Sequence, residues 1–352
     1  MKVVYVVGAR PEFIQAAPVS RALRQRHQEI LVHTGQHYDY QMSAVFFREL
    51  SLPPPDYNLE VGSGPHGWQT GEMLARMEEV LLAEQPDWVL VRGDTNSTLA
   101  GALAAAKLHI RVGHIEAGLR SFNRWMPEEI NRIAADHVAD LLFCPTPIAV
   151  ANLASEGIQR GVHLVGDVMY EAILNNLALA EARSQILPDL GLTSRSYLLL
   201  TVHRAENTDM AGNLGAILAA LDRFEELVIF PAHPRTRKRL ADVGWQPGPA
   251  IQLVAPQTYF DTLVLEKNAR LLLTDSGGMQ KEAYCLGTPC LTLREQTEWV
   301  ETVEAGWNRL VGTDTDKILD AVAGFCPPAG RPPLYGDGRT SQAILGILEA
   351  RA

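Results

Sequence analysis

Short apolar runs rich in β-branched residues alternate along this chain with stretches whose apolar positions recur every three to four residues. Val3–Val7 is the first run. The turn Gly8-Ala9-Arg10-Pro11 leads from it into a helix with Phe13, Ile14, Ala17 and Val19 inward, Pro11 suiting the first helical turn. The pattern predicts further strands at Ile30–His33, Trp88–Arg92, Arg111–Ile115, Leu141–Cys144 and His163–Val165. Helices are predicted near Gln41–Leu50, Thr70–Gln85, Thr98–Lys107, Pro127–Ala139 and Pro147–Glu156. Thr70–Gln85 aligns Met73, Leu74, Met77, Val80 and Leu81 on one face, and Thr98–Lys107 is made of small residues that let a helix lie close to a sheet.

After a helix over Tyr170–Arg183 the alternation restarts. Strands follow at Tyr197–Val202, Leu227–Phe230, Ile251–Val254, Leu271–Thr274 and Cys290–Leu293. Alternating strands and helices give parallel strands with helices on both faces. Two such runs predict an α/β chain of two doubly wound Rossmann-like domains, residues 1–168 and 169–338, facing a cleft and hinged near Gly166–Tyr170. A Pro/Gly-rich segment from Pro327 to Gly338 precedes the last helix, so residues 339–352 are expected to cross back to the first domain.

Composition agrees with this division. At roughly 150 residues per domain, 352 residues make two domains, and 47% apolar with 20% charged residues excludes wholesale disorder. A net charge of −10 argues against bulk binding to nucleic acid or anionic membranes, while leaving room for a small anion in a local pocket. The apolar run at the start is too short for a secretory signal, and no apolar stretch approaches the ~18 residues of a membrane helix. Cys144, Cys285, Cys290 and Cys326 form no Cys-x-x-Cys pair and no dense framework. A reducing cytoplasmic setting is the simplest reading.

In open α/β sheets ligands bind beyond the carboxyl ends of the strands. That rule selects the turns Gly8–Pro11, Gly93–Ser97, Glu116–Ser121, His203–Asn207, His233–Pro234 and Asp275–Gly278. The strongest signal is Thr274-Asp275-Ser276-Gly277-Gly278, where a strand runs into a glycine-rich helix start. Its bare N–H groups and dipole suit a diphosphate. Glu282, one turn beyond Gly278, can accept from both hydroxyls of a ribose. Asp94, Glu116 and Glu128 fall at strand ends and a helix start. Singly each could be a cap or a dipole partner, but together they supply general acids and bases. His203, after its strand and beside Arg204, can donate to a phosphate or protonate a leaving oxygen, and Arg10 is a plausible anion contact. His33, His37, His114 and His233 are weaker candidates. Gly62-Ser63-Gly64-Pro65-His66-Gly67 matches a dinucleotide fingerprint in letters only. Pro65 removes a needed N–H, and the run before it is short, so a surface turn is expected. No zinc-ligand spacing, Walker A loop or nucleophile elbow occurs.

With these residues in view, the chain resembles the non-hydrolysing UDP-N-acetylglucosamine 2-epimerases nearly end to end. The matching phrases are Gly8-Ala9-Arg10-Pro11-Glu12, Gln36-His37, Gly93-Asp94-Thr95, His114-Ile115-Glu116-Ala117-Gly118-Leu119-Arg120, Pro127-Glu128-Glu129-Ile130-Asn131-Arg132, His203-Arg204-x-Glu206-Asn207, Pro256-Gln257-x-Tyr259 and Asp275-Ser276-Gly277-Gly278. The resemblance implies a glycosyltransferase-B-like fold, a homodimer and a UDP-sugar held between the domains. It also implies a reaction that eliminates UDP across C1–C2 and re-adds it through 2-acetamidoglucal, without metal or nicotinamide. By the same resemblance Asp94, Glu116 and Glu128 are the acid/base carboxylates. His203 and Arg10 touch the diphosphate, Ser276, Gly277 and Gly278 cradle it, Glu282 holds the ribose and Gln257 lies at the uracil.

The chain departs from the family pattern in places. Gln15 replaces a usual Lys, Trp299 and Val300 replace an Arg-Pro pair, and Thr262 stands where some members carry Phe. The segment Gly62–Gly71 lacks the Arg used by members activated by their own substrate. Several phrases, among them Ser121-Phe122-Asn123-Arg124 and Thr297-Glu298-Trp299-Val300-Glu301, are closer to a subgroup acting on UDP-2,3-diacetamido-2,3-dideoxyglucuronate. Its C6 carboxylate would need a cation such as Arg92 or Arg124. Against these epimerase readings stand a glycosyltransferase using the same cleft and a non-catalytic UDP-sugar binder.

Overall fold

The computed structural model describes residues 1–8, 10–35, 50 and 52–351, without the side chains of Arg10 and Pro11. The Gln36-His37 pair and most of the helix predicted near Gln41–Leu50 lie outside the described residues. The chain divides into two compact units, residues 1–174 with 333–352, and residues 175–332.

The first unit runs β1 (Lys2–Val7), α1 (Arg10–Arg24), β2 (Gln28–His33), β3 (Tyr57–Asn58), α2 (His66–Glu84), β4 (Trp88–Arg92), α3 (Asn96–Lys107), β5 (Arg111–Ile115), α4 (Pro127–Val138), β6 (Leu141–Cys144), α5 (Pro147–Ser155) and β7 (Val162–Leu164). A further helix, α6 (Val168–Arg183), carries the chain across the unit boundary. All strand pairs are parallel, in the order β3-β2-β1-β4-β5-β6-β7. Central β1 and β4 are buried on both faces, which explains their unbroken apolar runs. The small residues of α3 bring it down onto the sheet: a Cβ on Gly101 would lie 2.9 Å from Val91 Cγ1.

The second unit runs α7 (Ile186–Asp189), β8 (Leu198–Thr201), α8 (Ala205–Thr208), α9 (Ala211–Leu221), β9 (Val228–Pro231), α10 (Pro234–Asp242), β10 (Ile251–Val254), α11 (Tyr259–Asn268), β11 (Leu271–Thr274), α12 (Gly277–Leu286), β12 (Cys290–Thr292), α13 (Val300–Glu304), β13 (Asn308–Leu310) and α14 (Thr315–Gly324). Its parallel sheet has the order β10-β9-β8-β11-β12-β13. Leu198, Leu200, Leu271, Leu273 and Phe230 form its core with Leu214, Ile217 and Ile318. The last helix, α15 (Thr340–Glu349), belongs to the first unit and packs on α1. Glu171 accepts from the Ser341 backbone N–H at 2.7 Å and from its hydroxyl at 2.6 Å.

Both sheets reverse direction at one place, between β1 and β4 and between β8 and β11. Such a switch leaves a crevice at the carboxyl ends of the two strands, and candidate residues from the sequence cluster there in each unit. The apparent fingerprint at Gly62–Gly67 lies in the connection between β3 and α2 and lacks the long strand and tight strand-to-helix turn of a dinucleotide loop. It follows the two-residue β3, Pro65 stands at the N-cap position of α2, and a Cβ on Gly64 would meet the Trp68 ring at 2.4 Å.

Candidate active site

At the first switch point the turns after β1, β4 and β5 are tied together by buried polar groups. Glu12, at the start of α1, accepts from the Gly8 N–H at 2.5 Å and from the Thr95 hydroxyl at 2.8 Å, so one carboxylate bridges two turns. Gly8 admits no side chain: a Cβ there would sit 2.0 Å from Ser97 Oγ. His114, fully buried on β5, donates from Nε2 to the Gly93 carbonyl at 2.9 Å, and its Nδ1 lies 2.7 Å from Asp136. Asp136 also receives Arg120 at 2.7 Å. Burial pushes the Asp136 carboxyl up, but His114 and Arg120 outweigh it and hold it below its ordinary value.

On this frame stand the three predicted carboxylates. Asp94 follows β4 and pairs with Arg132 of α4 at 2.5 Å, while its carbonyl accepts from Asn131 at 2.9 Å. Glu116 follows β5 with φ of 70°, in the left-handed region that non-glycine residues seldom adopt. Its carboxylate meets the buried Arg92 guanidinium, which also donates to Gln15. Burial opposes the Arg92 charge, but Glu116, Tyr5 and Glu12 outweigh it and raise its pKa. Glu128, half-buried in the first turn of α4 after Pro127, has no hydrogen bond or ion pair among the described residues. Next to it, buried Glu129 accepts from the Ser121 and Phe122 N–H groups at 2.9 Å and anchors the loop that carries exposed Arg124. Gln15 and Glu116 line a shallow surface recess with Ile115, Pro145, Gly166, Asp167 and Val168. All three carboxylates thus share one sheet edge. Arg10 begins α1 at the same edge, and its side chain lies outside the described residues. Of the two cations named for a substrate carboxylate, Arg92 is buried against Glu116 and Gln15 and Arg124 is exposed.

At the second switch point the chemistry is different. The Ser276 hydroxyl caps α12 by accepting from the Met279 N–H, leaving the Gly277 and Gly278 N–H groups without a partner among the described residues. A Cβ on Gly278 would meet only Ser276 Oγ, at 3.9 Å, so the approach to its backbone is open. Gly277 has no room for a side chain, because a Cβ there would lie 2.2 Å from Glu298 Oε1. This is the anion-accepting geometry of a helix start. His203 presents its exposed ring beside it, with Nδ1 3.1 Å from Asp275. Buried Asp275 accepts from the His203 N–H, the Arg204 N–H at 3.0 Å and Asn207 at 3.2 Å, joining the turns after β8 and β11. Burial pushes the Asp275 carboxyl up, but the His203 side chain and these N–H groups hold it below its ordinary value. Glu282 lies on α12 one turn from Gly278, and Gln257 precedes α11, its side-chain amide donating to the Ala255 carbonyl at 2.7 Å. Trp299, in place of the family's arginine, stacks over the buried Lys281 ammonium at 4.1 Å.

Sequence reasoning did not single out Glu12, Arg92 as the partner of Glu116, or Asp275 as the clamp on His203. The available signal was position: each stands at or beside a strand end at a switch point. Among the described residues no His, Cys, Asp or Glu cluster is arranged to hold a metal ion, and no helix is long and apolar enough to cross a membrane.

Two Rossmann-like units, one edged with carboxylates and the other with a bare helix start, define a two-domain α/β protein of the glycosyltransferase-B type. Known proteins narrow that class. The sequence pattern of the UDP-N-acetylglucosamine 2-epimerase family matches residues 21–349, and the chain belongs to that family of isomerases. Over 354 residues it is 52% identical to a UDP-N-acetylglucosamine 2-epimerase homolog of Methanococcus maripaludis, with 99% of each chain covered. It is 47% identical over 359 residues to the UDP-2,3-diacetamido-2,3-dideoxy-D-glucuronate 2-epimerase of Pseudomonas aeruginosa, again with 99% of each covered. The crystal structure of Methanocaldococcus jannaschii UDP-GlcNAc 2-epimerase in complex with UDP-GlcNAc and UDP superposes with a TM-score of 0.93. Sequence identity to it is 45%, covering 99% of this chain and 100% of that one.

Proposed function

We propose that this chain inverts C2 of a UDP-2-acetamido sugar, interconverting UDP-GlcNAc and UDP-ManNAc. The observation that carries the reading is the gathering of Asp94, Glu116 and Glu128 on one switch-point edge, in a chain whose other unit offers an open diphosphate cradle at Ser276–Gly278.

The C2 hydrogen of a closed pyranose is not acidic, so its removal is coupled to departure of UDP, a stabilised anion. One carboxylate takes the C2 proton while the C1–O bond breaks and its electron pair leaves with UDP, giving 2-acetamidoglucal. UDP then re-adds at C1, and a carboxylic acid on the opposite face returns a proton to C2. Asp94 and Glu116, each held against an arginine, suit the ionised roles, and Glu128 supplies the third carboxyl of the set. His203, oriented by Asp275, and Arg10 would steady the diphosphate. Gly277 and Gly278 would donate to it, Glu282 would hold the ribose and Gln257 would meet the uracil. Lacking an Arg between Gly62 and Gly71, the enzyme is expected to show hyperbolic kinetics in its substrate. The family resemblance supports a homodimer, which sedimentation would check, and the four cysteine thiols suit the cytoplasm.

A second substrate, the diacetamido uronate, is favoured by the Pseudomonas relative and by Arg124, which is exposed on the Glu129-anchored loop and able to meet a C6 carboxylate. Incubation with UDP-GlcNAc in deuterium oxide, followed by NMR at C2, tests the proposal. Deuterium at C2 with accumulation of UDP-ManNAc is expected. No exchange with either sugar nucleotide alone overturns the epimerase reading. Exchange with the uronate only, lost selectively in Arg124→Ala, moves the substrate to the second reading.

A further inference from the structure

Beside the proposed ribose carboxylate lies a second carboxyl that has no place in the reaction above. Glu266, in the last turn of α11, is fully buried, and α11 packs directly on α12, where Glu282 stands. Neither Glu266 side-chain oxygen finds a conventional donor. Its one side-chain partner is Glu282 itself, across the helix contact. Two carboxylates cannot hydrogen-bond unless one keeps a proton.

The surroundings decide which. Glu266 is 0% exposed and Glu282 is 7% exposed, so the more buried group is the one that burial keeps neutral. The other titratable groups that feel Glu266 are Tyr259 on its own helix, Tyr197 before β8 and Cys290 on β12. Burial pushes all three upward, so each is neutral and none offers a positive charge. No ion pair among the described residues reaches Glu266. Burial first, and then the neighbouring Glu282 charge, raise the Glu266 carboxyl well above its ordinary value. The turn that presents it is rigid: the Glu266 carbonyl accepts from Thr288 Oγ1 at 2.7 Å and the Leu265 carbonyl from the Tyr197 hydroxyl at 2.6 Å.

We propose that Glu266 is a positioning residue of the nucleotide site: as a neutral acid it donates to the Glu282 carboxylate and orients that carboxylate toward the two ribose hydroxyls. The pair then carries one negative charge, shared in a dry contact, and Glu282 meets the ribose as a pre-oriented acceptor. A hydrogen bond to a charged group is stronger than a neutral one, and a buried carboxylate left without it would turn elsewhere. The inference rests on the ribose reading of Glu282.

The test measures binding of UDP and of 2′-deoxy-UDP by calorimetry in the wild type, Glu266→Gln, Glu266→Leu and Glu282→Ala. Glu282→Ala is expected to abolish the preference for UDP, and if it does not, the ribose reading itself fails. Glu266→Leu removes the donor and is expected to cut that preference about tenfold, with 2′-deoxy-UDP binding little changed. Glu266→Gln, whose amide still donates, is expected to retain it. If Glu282→Ala abolishes the preference and Glu266→Leu leaves it intact, the role given to Glu266 is wrong. Infrared spectra at neutral pH supply a readout that does not depend on Glu266→Leu folding. The wild type should show a protonated-carboxyl stretch that Glu266→Gln lacks, and its absence from the wild type overturns the proposal.

Discussion

The two units share a strand order and a switch point but hold different chemistry there. In the first, the edge is a lattice of charges in which Arg92 and Arg132 each grip a carboxylate and Glu12, His114 and Asp136 brace the turns. In the second, the edge is bare backbone at Gly277–Gly278, braced by one buried carboxylate, Asp275. The fold supplies an address, the carboxyl end of adjacent strands, and side chains decide what is done there. Charges that handle protons require fixed counter-ions, whereas a diphosphate site requires unclaimed donors and room for an oxygen to approach.

The largest expected effect breaks the comparison on the first unit. Asp94→Asn, Glu116→Gln and Glu128→Gln should each lower kcat by about 10²–10⁴-fold while leaving UDP affinity near that of the wild type, measured by NMR exchange and calorimetry. Equal losses in UDP binding would mean that the two units do not divide the work.

Next comes the brace of the second unit. Asp275→Ala removes the acceptor of three donors and should cost about 3 kcal/mol of stability, read by chemical denaturation, along with UDP affinity. The pH dependence has a definite sign. Because the native Asp275 carboxyl titrates below its ordinary value, its contribution is complete above about pH 4 and is lost as pH falls through the native value. The stability gap between wild type and Asp275→Asn should therefore close on acidification. The smallest effect sharpens the comparison at a single atom. Gly278→Val places a branched side chain over the open N–H groups and should weaken UDP about tenfold with little loss of thermal stability.

Much of this architecture is legible along the chain. The strands that were missed, Tyr57–Asn58 and Asn308–Leu310, are edge strands of two and three residues with polar members, and so carry neither an apolar run nor an alternation. Helix α2 begins at His66, ahead of the predicted Thr70, because the Gly62–Gly67 phrase reads as a surface turn although Pro65 stands at the N-cap position and the helix starts directly after it. The acid residues and the helix start were visible because they sit at the ends of strong strands. Trp299 and Gln15 were visible as departures from a pattern, but not what answers them: Lys281 stacks on the first and Arg92 bonds the second.

The sequence by itself determined two parallel α/β units and the strand-end turns on which the proposed site residues stand, because apolar periodicity and punctuation by Gly, Pro and Asp are properties of neighbours in the chain. Only the tertiary structure decided who pairs with whom: Arg92 with Glu116, Asp275 with His203, Glu266 with Glu282. Those partners stand 24, 72 and 16 residues apart, and a buried charge is set by what burial brings against it.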